Sequence, residues 1–220
     1  SFQKIHQKCY TIERNYISMD NKIRYNINLL LKKSFTYWYY LKDKYDVTGS
    51  GNGITIFTNN SKKDGVPEEV VDMSDTSRMV TICSICGIND PNISPNDRII
   101  EDIDSRVFMS WTQLYQLIIE CRLDFKDVYE SMKFTLRHEL GHILDHRRFI
   151  GKTTKEWNEM CNEYKHLQNI IPRLRRNASY QKRLEWYLMY NQQPVEKVAN
   201  DLVGITEEDI IADYKRTHHK

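Results

Sequence analysis

Residues 128–146 read VYESMKFTLRHELGHILDH, and the spacing of their apolar side chains predicts a helix. Val128, Met132, Leu136, Leu140 and the pair Ile143-Leu144 recur at three- and four-residue steps, the period of one helix face. Phe134, His138 and His142 form a second stripe on another side. A helix that is apolar on more than one side is buried in the middle of its domain. Asp124 or Asp127 can cap its start.

Working outward, the chain before this helix divides in two. Residues 1–45 read as helices: an earlier piece over 3–17, then a longer one from a cap at Asp20. Its apolar positions are Ile23, Ile27, Leu30, Leu31, Phe35, Trp38 and Leu41. The aromatic run Tyr37–Tyr40 reads as core and rim. Residues 54–110 read as a small sheet with loops. Strands are expected at 54–57, 79–83 and 106–110, and loops at 59–78 and 87–104, with a short helix near 67–71. Trp111–Arg122 reads as a helix. After 146, helices are expected at about 155–170, 178–191, 194–203 and 206–216, which makes 124–216 a helical part. Helices, a few strands, then helices is the pattern of an α+β domain, mostly helical with a small sheet packed on the central helix.

Inside that helix, His138 and His142 stand one turn apart, about 6 Å along the axis, so both imidazoles point the same way and can share one zinc ion. Glu139 is turned about 100° from His138. It is poorly placed as a ligand but can reach a water on the metal. This is the H-E-x-x-H pattern of two ligands and a general base, and the chemistry it suits is hydrolysis of a peptide bond. Two of the chain's seven histidines fall in it. Two buried imidazoles and a carboxylate would be costly to bury without a metal to satisfy them. Gly141 lies mid-helix, where it costs about 1 kcal/mol relative to Ala. Close approach of another backbone explains it, and the sheet is the expected neighbour.

A catalytic zinc needs a third protein ligand. His146 lies about 12 Å along the helix from His138. A sharp bend could bring it back, as in the metzincins, but Asp145 and Arg148 occupy the positions that pattern requires. His146 therefore reads as a supporting or surface residue. The remaining candidates are Glu156, Glu159, Glu163, Glu185 and Glu196. Glu196 has the favourable setting: Pro194 suits a first helical turn, and Ala199 offers a small residue where this helix must lie against the central one. Glu185 lacks such a residue three positions on. Asp145, one turn beyond His142, can orient a ligand imidazole.

HELGHILDH at 138–146, followed by Glu196, Ala199 and Asn200 in an E-x-x-A-N arrangement, resembles the zincin-like metallopeptidases whose third ligand is a glutamate. The ImmA/IrrE-type peptidases and the lethal-factor-like peptidases, including the Pro-Pro endopeptidases, are the two similar groups. The resemblance implies a zincin-like fold, Zn2+ held by His138, His142 and Glu196, and Glu139 as the base. Through the lethal-factor-like pattern of Asp145 and Tyr190 before Glu196, it also implies that the Tyr190 hydroxyl stabilises the oxyanion.

Other features exclude more than they assign. With 220 residues, one domain is enough. Net charge is +2, so there is no basic excess to suggest nucleic acid. No apolar stretch approaches the roughly 20 residues of a membrane span. Lys4, Lys8, Glu13 and Arg14 leave no signal-peptide core, so a cytoplasmic or virion-associated protein is expected. Five scattered cysteines read as reduced thiols, and the lone pair Cys83 and Cys86 cannot build a structural zinc site without two more ligands. The glycines at 49, 51 and 53 lack the spacing of a phosphate loop. The basic run through Arg173, Arg175, Arg176, Lys182 and Arg183 reads as a solvated helix face. The expected partner is a protein or peptide substrate. The competing reading is a non-catalytic or regulatory zincin-fold subunit of a larger assembly, such as a phage particle, docking through its aromatic N-terminal helices.

Overall fold

In a computed structural model of the chain, the described residues are 21–49, 51–57, 79–88, 92–119, 124–170 and 178–218. The expected helices at 3–17 and near 67–71, the cap at Asp20 and the basic residues at 173–176 lie outside them.

The helix α1 (Asn21–Lys44) places Ile27, Leu30, Leu31, Trp38 and Leu41 on one side, and all are buried. Strands β1 (Gly53–Phe57), β2 (Met79–Ile88) and β3 (Ile100–Ser110) form a mixed sheet in the order β1-β3-β2. β1 runs parallel to β3, and β2 runs antiparallel to it from Met79 opposite Met109 to Ile88 opposite Ile100. The helices are α2 (Trp111–Ile119), α3 (Phe125–Arg147), α4 (Thr154–Ile170), α5 (Tyr180–Asn191), α6 (Pro194–Leu202) and α7 (Glu207–Thr217). Among the described residues the architecture is therefore α+β, mostly helical with a three-stranded sheet. No described helix is long and apolar enough to cross a membrane.

The helix α3 is the centre. Asp124 caps it by accepting a hydrogen bond from the Asp127 backbone N–H at 2.7 Å. Both stripes are used, since α3 packs against α1, α2, α6, α7 and the sheet. Val128, Leu136, Leu140 and Ile143 are fully buried, each contributing about 1.5–3 kcal/mol of apolar burial.

Two strand expectations are corrected. β2 continues through Cys86 to Ile88, and β3 starts at Ile100, six residues before the expected 106. The acidic residues Glu101, Asp102 and Asp104 hide this strand in the sequence. The long antiparallel ladder with β2 and the full burial of Ile100 and Ile103 override their low strand preference. Cys83 and Cys86 are three apart on one strand and so point to opposite faces, which rules out a shared ion. The start of β3 also carries α4. Gly151 N–H donates to Ile100 O, Ile100 N–H to Lys152 O and Thr154 N–H to Arg98 O, at 2.8, 2.9 and 2.9 Å.

Candidate active site

The second half of α3 and the short helix α6 meet at Gly141. A Cβ built there would collide with the Ala199 carbonyl oxygen and come within 2.6 Å of its carbonyl carbon. The close backbone is thus that of α6 and not, as the sequence suggested, that of the sheet. Ala199 is the small residue expected on the other side, and it is fully buried. This contact brings Glu196, in the first turn of α6, up to the two α3 histidines.

Three ligand atoms converge. His138 Nε2 lies 2.9 Å from Glu196 Oε2, His142 Nε2 lies 3.3 Å from the same oxygen, and the two Nε2 atoms are 3.1 Å apart. Four tetrahedral ligands about 2.0–2.2 Å from a zinc ion stand roughly 3.3–3.6 Å from one another, so these edges approach one face of such a shell. His138, His142 and Glu196 are the one group of three His, Cys, Asp or Glu ligand atoms gathered in this way among the described residues. They can hold a metal ion.

The electrostatics point the same way. Burial alone would depress His138, but hydrogen bonding to Glu196 and the charge of that carboxylate outweigh it and raise the pKa to about 9. Burial would raise Glu196, yet the hydrogen bonds from His138 and His142 hold it well below the usual carboxylate range. The cluster draws positive charge to itself, which a divalent cation would satisfy.

The support behind the ligands is layered. His138 Nδ1–H donates to Asn200 Oδ1 at 2.8 Å, which directs Nε2 toward the cluster. Asn200 Nδ2 donates in turn to Asn191 Oδ1 at 3.2 Å, and Asn191 Nδ2 to the Tyr187 carbonyl at 2.9 Å. The Tyr190 hydroxyl donates to Glu196 Oε1 at 2.8 Å, with its ring stacked on Trp186. Burial and the Glu196 charge push the Tyr190 pKa well above 10, so it keeps its proton. Glu139 is buried, and its Oε2 accepts from the Thr81 hydroxyl of β2 at 2.6 Å.

The other sequence candidates fall outside the cluster. Glu185 is exposed and accepts from Gln181 Nε2 at 3.1 Å. Glu156 accepts from the Thr153 N–H at the start of α4. Glu159 pairs with Lys155, and Glu163 is exposed. His146 Nδ1–H donates to the His142 carbonyl at 2.7 Å and its ring lies against Trp157, so it supports the helix and lines the cleft without ligating. The expected bond from Asp145 to a ligand imidazole is absent. Asp145 pairs with Arg148 at 3.0 Å, and the buried Nδ1 of His142 has no hydrogen-bond partner.

A cleft of about 300 Å³ opens in front of the cluster. Met79 to Cys83 of β2 form one wall, and Trp157, Met160, Cys161, Tyr164 and Lys165 of α4 the other. Sequence reasoning missed Thr81 and the α4 wall. No local pattern marks either, because each acts across the fold. Asn200 stands within the E-x-x-A-N stretch, and its distance of four residues from Glu196 was the available signal.

No protein-family model, curated protein or solved structure matches this chain.

Proposed function

We propose that this protein is a zinc-dependent metallopeptidase of zincin-like architecture, with His138, His142 and Glu196 as the metal ligands. One observation carries the reading: among the described residues three ligand atoms converge in the lining of an open cleft, with a buried carboxylate, Glu139, beside them. A structural zinc is closed by four protein ligands, whereas a catalytic one keeps a position for water. Two imidazoles and one carboxylate are a donor set that suits zinc.

Zinc held there would supply an acidified water, with a pKa lowered to about 7, and a Lewis acid for the scissile carbonyl. Glu139 takes the proton of the attacking water and returns it to the leaving amine. Thr81 holds one of its carboxylate oxygens and leaves the other for this transfer. Tyr190, kept protonated, would turn its single O–H from Glu196 Oε1 to the developing oxyanion. Asn200 holds the His138 ring in the ligating tautomer.

A peptide is the substrate that fits the walls. Five consecutive residues of β2 line the cleft, although alternate side chains of a strand point to opposite faces. The backbone edge of β2 therefore faces the cleft, and among the described strands β2 has only β3 as a neighbour. An extended peptide can add to such an edge.

The alternative, a non-catalytic zincin-fold subunit of a larger assembly, draws on the outer side of α1, where Tyr25, Tyr39 and Tyr40 are 66%, 66% and 56% exposed. Metal analysis and digestion of an unstructured protein separate the two. Wild type is expected to bind one zinc and cleave, Glu139→Gln to keep the zinc and lose cleavage, and Glu196→Ala to lose the zinc. A zinc-loaded wild type that cleaves nothing favours the subunit, and a fully active Glu139→Gln overturns the mechanism.

A further inference from the structure

We propose that the cleft selects a peptide by a large apolar side chain, Leu, Met or Phe, next to the scissile bond, received between Cys83 of β2 and Trp157, Met160 and Cys161 of α4. The inference rests on the peptidase reading and adds the substrate class.

The pocket follows from two periodicities. Trp157, Met160, Cys161 and Tyr164 recur at three- and four-residue steps and so share one face of α4, the face turned to the cleft. On β2, Thr81 and Cys83 share a face two residues apart, about 7 Å. Thr81 reaches Glu139, so Cys83 lies one strand repeat away from the base. A peptide strand beside β2 would thus present a side chain to this spot one or two residues from the bond under attack.

The lining there is apolar. Cys83, Met160 and Cys161 pack against the cluster of Ile100, Ile103 and Trp157. Trp157 is 7% exposed and is held by ring contacts with His146 and Phe149. Burial pushes the Cys83 thiol up to about 12, so it stays uncharged. The backbone bonds that tie the start of α4 to β3 hold the two walls at a set distance. A cleft of about 300 Å³ is at the small end of ligand sites, enough for a bulky side chain and its neighbours. A pocket of this kind discriminates large from small apolar groups by roughly 10- to 100-fold.

The test uses the full chain carrying zinc, with two readouts. Wild type is given a mixed peptide pool, and the cleavage sites are mapped by mass spectrometry. Glu139→Gln is titrated with matched peptides carrying Phe, Leu or Gly at the mapped position, or at each position of a fixed scaffold where nothing is cleaved. Enrichment of Leu, Met or Phe at one position within two residues of the bond is expected. So is binding to Glu139→Gln at least about 10-fold tighter for Phe than for Gly. Adding Met160→Trp should fill the pocket and remove that difference at unchanged zinc content. Should that variant not fold, Met160→Ala should shift the preference toward Trp-bearing peptides. Cleavage without apolar preference, or equal binding of Phe and Gly peptides, overturns the proposal and leaves the peptidase reading standing. No cleavage by wild type, with the Phe-over-Gly preference intact, removes the peptidase reading and keeps the pocket.

Discussion

Gly141→Ala is the sharpest probe of how this site is held together. The substitution adds one methyl group in the middle of α3. In isolation it would help, since Ala is favoured over Gly in a helix by about 1 kcal/mol. Here the methyl meets the backbone of α6, with the Ala199 carbonyl carbon at 2.6 Å and its Cα at 2.9 Å. Carbon atoms settle at about 3.5–4.0 Å, so α6 must retreat by roughly 1 Å or α3 must bend. Backbone cannot turn aside as a flexible side chain can. Overpacking of this kind costs about 1–3 kcal/mol, which the gain in helix propensity partly offsets. The expected loss of stability in the zinc-free protein is therefore modest, about 0–2 kcal/mol.

Zinc binding at the proposed site should feel the same displacement far more. α6 carries both Glu196 and Asn200, and ligand distances in a zinc site tolerate only about 0.2 Å. A retreat of roughly 1 Å takes the Glu196 carboxylate out of reach and loosens the Asn200 bond that orients His138. Loss of orienting partners alone lowers metal affinity by about 10–100-fold, so zinc affinity should fall by at least that much. Competition against a chromophoric chelator measures the affinity, and thermal unfolding with and without zinc measures the stability. A variant with wild-type zinc affinity would refute the claim that the Gly141–Ala199 contact sets the third ligand.

Two further outcomes follow from single side chains. Thr81→Val keeps the shape of the residue but removes the hydroxyl on Glu139. A hydrogen bond to a charged group is worth about 1.5–3 kcal/mol, so kcat should fall roughly 10- to 100-fold with zinc content and melting temperature near wild type; an unchanged kcat would show that Thr81 does not position the base. His146 gives a pH signature. Burial, helped by the charge of His142, holds its pKa down to about 4 from 6.5, so between those values the unfolded chain binds more protons than the folded one. Its contribution is present above pH 6.5 and is lost as pH falls toward 4, by up to about 3 kcal/mol. Unfolding of the zinc-free protein should show a shallower fall over this window in His146→Gln than in wild type, and equal slopes would rule His146 out as the cause.

What could be read from the sequence was what local geometry compels. His138, Glu139 and His142 are related by one helical turn, so their relative directions follow once the helix is accepted, and the double apolar stripe of α3 requires that helix. Of the two caps the sequence offered, Asp124 and Asp127, the helix uses Asp124. Glu196 was legible for a less direct reason. Pro194 marks the first turn of a short helix and Ala199 gives it a small residue where it can approach another backbone, and the structure brings that helix onto α3. Tyr190 entered through resemblance and lies at the site, with its hydroxyl on Glu196.

What escaped were residues that carry no local mark of the distant neighbour they act with. Thr81 is an ordinary strand residue until β2 runs past α3. The face of Trp157, Met160 and Tyr164 looks like any amphipathic helix until backbone bonds to β3 swing α4 across the cleft. The start of β3 shows acidic residues where the ladder to β2 needs only backbone. Asp145 failed for the opposite reason. Its position one turn from His142 suggested a bond, but Arg148, also one turn away, offers a full charge and takes the carboxylate. Gly141 shows the limit most plainly. A glycine in mid-helix says that some backbone comes close, because only the absence of Cβ is recorded there. Which backbone it is depends on the partner surface having a matching small residue, and that information sits at Ala199. The two positions form one feature of the fold, so substituting either should disturb the same cluster of His138, His142 and Glu196.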